Sequence, residues 1–452
     1  MKKIYLLTSL LLAASAYGAS IDHIQTYSPD YLANQAQTGI INNVSAYYNP
    51  AGTGRLEKGK YIHAGIQYAM GDETMSYKGK EHTAKLRQAI PNFTLYSVDN
   101  KGASFLTFGA LGGGGELKYN GVSGLDVAME TISRNVPPSF SGLGVKNLGI
   151  YDKGTKVKGS NQYEQLTLGR AFNVDDKLSF SIAARLVHGT RKLSGDLKVG
   201  LNPDAPPAIL NALAGRIPTT LEGNLNSKRE AWGYAFQLGL NYKVNEQLNL
   251  AARYDSRVKM NFKAKGSENE LQTSALIGKN IGFSSFYPQY TPNSKTRRDL
   301  PAILSLGASY KVNEKYMISA AGNLYFNRQA KMDRITDKFG NSHGTDYRNG
   351  WELALGNEYK LNEKFTLIAS VNYAKTGAKA SSYNDTEFAI DSTTLGAGLR
   401  YKYDETLDLT ASVAHFIYRT SEGTFKERHK VNENQKYKKS ITAIGLSLTK
   451  KF

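Results

Sequence analysis

The sequence predicts an all-β protein: a transmembrane β-barrel of fourteen antiparallel strands with an N-terminal segment folded inside its lumen. Three observations lead there. Apolar and polar residues alternate with period 2 along much of the chain, as strands do, and long helical patterns are missing. Near-identical short turns join the alternating runs in pairs. Finally, no run of apolar residues approaches the roughly 20 that a membrane-crossing helix needs, and only helices and closed barrels satisfy their backbone hydrogen bonds in lipid.

At the N-terminus, Lys2 and Lys3 precede a short apolar core, Ile4 to Ala14, and small residues around Ala16 to Ala19. Residues 1–19 therefore read as a secretory signal peptide, cut after Gly18 or Ala19. Residues 20–57 do not alternate and are too few to build a core of their own. They are expected to fold inside the barrel as a plug. Within them stands Asn49-Pro50-Ala51-Gly52, just after Tyr47 and Tyr48, where proline fixes a turn.

Residues 58–452 make the wall. Its clearest strand runs from Trp232 to Val244, with Trp232, Tyr234, Phe236, Leu238, Leu240, Tyr242 and Val244 on one side and small or polar residues on the other. A barrel in a membrane turns the apolar side to lipid. Alternation places strands near 59–70, 89–98, 103–119, 161–172, 177–190, 230–244, 247–260, 301–312, 315–328, 350–361, 364–377, 392–403, 406–419 and 438–452. Six short turns connect them in pairs, three of them almost the same: Tyr242 to Glu246, Tyr310 to Glu314 and Tyr359 to Glu363. Their Asn residues tolerate the tight hairpin backbone, and the tyrosine before each turn falls on the outward face, where an interfacial aromatic girdle belongs. Seven long segments, near 71–88, 120–160, 191–229, 261–299, 329–349, 378–391 and 420–437, read as external loops. Short turns on the periplasmic side and long loops outside are the habit of bacterial outer-membrane barrels. The last residue, Phe452, shares a face with Ile444, Leu446 and Leu448.

Several features are not explained by the wall. The third strand carries Gly112, Gly113, Gly114 and Gly115 in a row. No Gly-Lys-Ser/Thr follows, so this is no phosphate loop; glycines inside a strand mark a bulge, a kink or a close backbone approach, and a kink here would leave a sideways gap. Two external loops are unusually apolar: one holds Ile209, Leu210 and Leu213 in a short helix after Pro206-Pro207, the other Leu276, Ile281, Phe283 and Phe286. Such residues form either a groove for a hydrophobic ligand or a cap in which the two loops pack on each other. Inward-facing Arg185, Arg253 and Arg400 either hold a ligand carboxylate or brace the barrel against Asp255, Glu352 and Glu358. The net charge of +18 is scattered over turns and loops, which speaks against a nucleic-acid partner. Seven histidines and no cysteine show no metal-ligand spacing, and no catalytic motif appears, so the chain reads as no enzyme and as needing no cofactor.

Taken in order, these parts resemble the FadL-type long-chain fatty acid transporters: signal peptide, plug with Asn-Pro-Ala-Gly, broken third strand, apolar third and fourth external loops. Leu300-Pro301-Ala302 leading to Leu306-Gly307-Ala308-Ser309-Tyr310 is similar to that family's eighth strand, and Trp351 to Tyr359 to its tenth. The resemblance spans the mature chain, with divergent external loops. It implies a monomer in the outer membrane of a Gram-negative bacterium, among outer-membrane lipids, that takes up fatty acids or similar amphiphiles. The ligand is caught between the third and fourth loops, passes to a lumenal pocket above the plug, and leaves sideways at the third-strand kink, with Pro50 facing the exit. Two alternatives come with it: uptake of aromatic or other hydrocarbons, which need no lumenal cation, and adhesion to a host-cell protein through the loops.

Overall fold

A computed structural model describes residues 24–452 except 137, 214–218, 275–278, 337–341, 344–346 and 386. The expected signal peptide and the first residues of the lumenal segment lie outside these. Fourteen antiparallel strands close a barrel. They are β1 (Gly59–Tyr77), β2 (Lys80–Asp99), β3 (Gly102–Asn120), β4 (Lys156–Asn173), β5 (Leu178–Leu201) and β6 (Thr220–Lys243). β7 comes in two pieces (Leu248–Asp255 and Asn261–Asn269), as does β8 (Lys295–Arg297 and Ile303–Lys311). The round is completed by β9 (Tyr316–Tyr325), β10 (Gly350–Lys360), β11 (Phe365–Lys375), β12 (Ser392–Asp404), β13 (Leu407–Tyr418) and β14 (Lys436–Lys451). β14 closes on β1 from Tyr61↔Lys451 to Ser76↔Lys436, which leaves no free sheet edge there.

Each predicted strand is present and β3 ends within a residue of its expected limit, but β1, β2 and β4 to β7 reach well beyond their expected upper ends. The segment near 71–88 is no loop: β1 and β2 continue to a tight hairpin in which Lys78 (φ 50°) and Gly79 (φ 76°) take the left-handed conformations of a type I′ turn. Likewise most of 191–229 and much of 261–299 is strand. The cause is a reversal of the pattern. In the membrane-spanning part of β6, Trp232, Tyr234 and Phe236 point outward and are 59%, 77% and 48% exposed. Above it, Leu221 and Leu225 point inward and are buried, while Glu222, Asn224 and Lys228 face water. Leu193 and Leu197 of β5, Leu117 and Tyr119 of β3, and Leu86 and Ala84 of β2 turn inward in the same way. Lipid surrounds the lower barrel, so its apolar side is outside; water surrounds the upper barrel, so its apolar side is inside. The upper lumen is thus an ordinary hydrophobic core, which also takes in Phe283, Tyr287, Tyr290, Phe388 and Tyr437.

Helix α3 (Ser123–Arg134) packs Leu125, Met129 and Ile132 into this core. Its polar side is tied to the β1–β2 hairpin by Lys80–Asp126 (2.6 Å), Lys78–Glu130 (2.7 Å) and His82 Nε2–Asp126 (2.6 Å). Buried Asp385 gathers three pieces of the outer end, accepting from Tyr287 Oη (2.6 Å), Gln435 Nε2 (2.7 Å) and the Gly124 amide (3.0 Å). At the opposite end, Tyr242, Tyr310, Tyr359 and Tyr403 stand outward, 40–57% exposed, just before the tight turns. Asx turns shape those turns: the Asn245, Asn313 and Asn362 side chains each accept two backbone amides at 2.8–2.9 Å.

Candidate functional site

Residues 24–57 occupy the lower lumen, with α1 (Pro29–Ala33), α2 (Ser45–Tyr48) and a 3₁₀ turn (Pro50–Arg55). A segment this short has only a small cluster of its own, Tyr31, Val44, Tyr47 and Tyr48, so the inward polar face of the wall becomes its main partner. Asp30 accepts from Thr410 (3.2 Å) and Ser447 (2.8 Å); Asn34 donates to Ser319 (3.2 Å); Ser309 and Asn249 both donate to the Gly39 carbonyl (2.8 and 2.9 Å). Asn49 caps the 3₁₀ turn through the Gly52 amide (3.1 Å) and donates to Asn241 (2.8 Å). Arg253 makes the strongest link. Its guanidinium pairs with Asp255 (2.9 Å) and donates to the Tyr47 carbonyl (2.7 Å) and to Gln25 Oε1 (3.1 Å).

Above this segment the wall forks. β2 and β3 pair only from Asp99↔Gly102 to Asn92↔Gly109. Beyond that rung, residues 80–91 pair with β1 alone and residues 110–120 with β4 alone. Two register irregularities bend β3 away, between Ala110 and Gly112 and between Gly114 and Leu117. Gly113 sits between them at φ 99°, where a side chain would strain the backbone and meet the Asn161 carbonyl. The Tyr47 hydroxyl stands at the crotch, 2.7 Å from the Phe93 carbonyl and 2.9 Å from that of Phe108, sharing its one hydrogen between the two strands. Inside the fork is a cavity with about 660 Å³ of empty volume. Tyr27, Leu32, Leu86, Ile90, Phe416 and Ile441 line it together with Gly113. Its polar corner holds Glu73, 3.6 Å from Lys439, whose ammonium lies 4.6 Å from the Phe388 ring centre.

A second cavity lies in the upper barrel and is strongly basic. Arg191 of β5 and Arg298, next to the upper piece of β8, both bind Glu387, Arg191 at 2.6 Å. Arg229 of β6 is buried beside them. It donates to Thr296 and lies 5.2 Å from the ring centres of Phe262 and Tyr290, with no carboxylate partner among the described residues. Four guanidiniums, of Arg191, Arg229, Arg297 and Arg298, therefore line one space with two carboxylates, Asp333 and Glu387, Arg297 being paired with Asp299. Such an excess of charge in a low-dielectric site favours a further anion.

The last 301 residues of the chain, 152–452, match the model of the outer membrane protein transport protein family, OMPP1/FadL/TodX. This chain belongs to that family. It is an outer-membrane β-barrel of a transport family rather than an enzyme. Among solved structures it is similar to a Pseudomonas aeruginosa FadL homologue, 15% identical, with 97% of this chain and 100% of that one covered and a TM-score of 0.66. It is also similar to the Ralstonia pickettii toluene transporter TbuX, 17% identical, covering 95% and 99%, with a TM-score of 0.61. At such identities the likeness is one of fold. An outer membrane protein of Neisseria meningitidis serogroup B is 22% identical over 275 residues, 55% of this chain and 57% of that protein's length.

On this FadL-type barrel the residues singled out from sequence fall as follows. Arg185 is paired with Asp255 (2.7 Å), Arg253 with the same Asp255, and Arg400 with Glu358 (2.8 Å). All three brace the wall or the lumenal segment. Pro50 and Ala51 are not beside the glycine run: Pro50 faces Gly239, and the Ala51 carbonyl accepts from Ser179 (2.9 Å). The lumenal residues nearest Gly109 at the fork are instead Thr26 and Tyr47. The two apolar loops do touch, as Phe283 packs on Gly195 and Arg229 reaches Tyr290. Ile281 and Phe283 are buried in the upper core, however, whereas Leu210 is 38% exposed and Ile209 half-buried on the short helix Pro207–Leu213. The structure does not bring these four into one groove. Leu276 and the side chains of Leu213 and Phe286 lie outside the described residues. The basic cavity itself went unread. Arg191 has the inward parity of Arg185, and Arg229 that of Gln237, so alternation carried the signal past the strand ends assigned at 190 and 230.

Proposed function

We propose that this chain carries carboxylate-bearing hydrophobic molecules across the outer membrane, long-chain fatty acids being the simplest of them. The observation that carries the reading is the buried cavity in which Arg191 and Arg298 share the carboxylate of Glu387 while Arg229, beside them, has no carboxylate partner among the described residues. A ligand carboxylate takes Arg229, while its tail lies against the apolar core that surrounds the cavity. Phe388, next to Glu387, stands between this cavity and the one at the fork through its contact with Lys439. Passing it, the ligand enters the fork cavity and leaves into the bilayer between β2 and β3, above the Asn92↔Gly109 rung. Tyr47 holds the rung just below, Phe93↔Phe108, and makes residues 24–57 the plug that keeps the lower lumen shut. A neutral aromatic such as toluene, the cargo named for TbuX, has no use for an unpaired arginine.

Binding of a fluorescent fatty acid and of its methyl ester to the purified protein tests the headgroup assignment. The acid should bind about tenfold more tightly than the ester, as a charge-assisted hydrogen bond of ~1.5 kcal/mol requires, and Arg229→Gln should erase the difference while leaving ester binding unchanged. Equal binding of acid and ester to the unaltered protein refutes the carboxylate reading and leaves a channel for neutral hydrocarbons. The exit is tested separately. Ala89→Cys with Gly112→Cys, joined across the fork by a reducible bis-maleimide in this cysteine-free chain, should stop uptake in cells until the link is reduced. Undiminished uptake by the linked protein means that ligand leaves another way.

A further inference from the structure

On the lipid side of β7 to β11 the wall is hollowed. Outward positions that elsewhere hold Leu, Phe or Tyr hold Ala308, Ala320 and Gly322 here. The register sets Ala308 level with Ala320, and Leu306 with Gly322. Leu250, Leu353 and Leu355 stand on either side, so the small residues form the floor of an open trough lined by apolar residues throughout. The trough is part of the lipid-facing band, so acyl chains are what physically covers it.

Its lower end has the chemistry of a headgroup site. Tyr310 and Tyr359 flank it at the interface, 40% and 47% exposed. Directly below are the turns Lys311–Lys315 and Lys360–Lys364, held side by side by the hydrogen bond from the Lys360 amide to the Lys315 carbonyl (2.8 Å). In the neighbouring turns the lysines are neutralised, Lys243 by Glu246 (2.7 Å) and Lys402 by Glu405 (2.6 Å). Lys311, Lys315, Lys360 and Lys364 form no ion pair among the described residues, and with Glu314 and Glu363 they leave the two turns at +2. The lumenal segment is fixed to this same stretch of wall. Gly39 lies against the backbone of Ala308, and its carbonyl accepts from Ser309 and Asn249.

We infer that this face binds one anionic phospholipid of the periplasmic leaflet, with an acyl chain in the trough and the phosphate on the lysines of the two turns. The site is independent of the lumenal cavities and of what they carry. Cationic residues at a membrane surface each favour an anionic lipid by about fivefold, and the trough supplies the contact that turns this attraction into a defined site.

Native mass spectrometry of the full protein, released from detergent containing equal amounts of phosphatidylglycerol and phosphatidylethanolamine with matched chains, reads the site directly. One phosphatidylglycerol should be retained, at least about fivefold over its zwitterionic counterpart. Ala308→Leu with Ala320→Leu fills the trough from the lipid side and should cut retention of both lipids about tenfold. Lys311→Gln, Lys315→Gln, Lys360→Gln and Lys364→Gln together should keep lipid but lose the preference. Heat-modifiable mobility on gels confirms that each variant is still a folded barrel; a trough variant that fails this check is replaced by Gly322→Ala, whose added methyl meets the end of Leu353 at 3.3 Å and the Glu352 carbonyl at an ordinary 3.7 Å. The inference is overturned if the filled trough retains lipid as before, if the unaltered protein shows no preference, or if filling it dissolves a dimer instead, which would make a second copy the occupant.

Discussion

Replacing Arg253 should loosen the lumenal segment from the wall without unfolding the barrel. In the structure Arg253 is buried and is the strongest link between the two, through the Tyr47 carbonyl and Gln25. Arg253→Met leaves the Tyr47 carbonyl without its donor. It also deprives Asp255 of one of two arginines; Arg185 at 2.7 Å and Gln237 at 2.8 Å remain. Losing one partner of a buried pair costs about 3–5 kcal/mol when the survivor is stranded. Here the survivor is not stranded, so the lost charge-assisted bonds set the size, about 2–3 kcal/mol, and opening of the segment should rise roughly 30- to 150-fold. Ala46, buried on α2, provides the reporter as Ala46→Cys. Its rate of maleimide labelling in detergent should rise by that factor in Arg253→Met. Arg185→Met should raise it less, since Arg185 bonds Gln165 and Asp255 and nothing in the segment itself. Unchanged labelling in Arg253→Met, or an equal rise in both variants, would refute the reasoning.

Two further outcomes concern the outer end, beyond the membrane-spanning strands. Burial opposes charge on His82, but hydrogen bonds to Asp126 and to the Asn120 carbonyl (2.8 Å) outweigh it and hold its pKa above the ordinary histidine value; Asp126, against its own burial, is held below the ordinary carboxylate range by His82 and Lys80. The His82 contribution is therefore whole below about pH 6.5 and fades as pH rises through the raised value, while that of Asp126 is whole above about pH 4 and fades as pH falls through the lowered one. Protection against hydrogen exchange along 123–134, taken relative to the intrinsic exchange rate at each pH, should accordingly fall from pH 6 to pH 8, and His82→Gln should flatten that change; pH-independent protection in the unaltered protein would remove the pair from α3's anchorage. Asp385→Ala should leave the Tyr287, Gln435 and Gly124 donors without their common acceptor, at a local cost of about 2–4 kcal/mol. Limited proteolysis should then cut the external segments faster, with the membrane-embedded barrel intact, and equal cutting rates would contradict the hub role.

Short-range pattern determined the lower barrel. Strands such as Trp232 to Val244 and the repeated Tyr-Lys-(Val/Leu)-Asn-Glu turns state their structure locally, because each residue there faces either lipid or the lumen and the period is 2. The same logic hid the upper barrel. Above the membrane Leu193, Leu221 and Leu225 exchange sides with the polar residues, and a run whose parity reverses looks like an irregular loop until both surroundings are known. Only the tertiary structure could decide what the inward arginines do. Arg185, Arg253 and Arg400 resemble Arg191 and Arg229 in sequence; Asp255, on Arg253's own strand but two strands away from Arg185, and Glu358 of β10 neutralise the first three, whereas the last two share a cavity with Arg298 and one glutamate, Glu387, from a distant connection. The glycine run announced a break in β3, but its partner decided its form: the wall opens because β2 stops pairing at Asn92, under a tyrosine some sixty residues from Phe108 in sequence. Pairing between remote segments is a property of the closed barrel, and local alternation does not encode it.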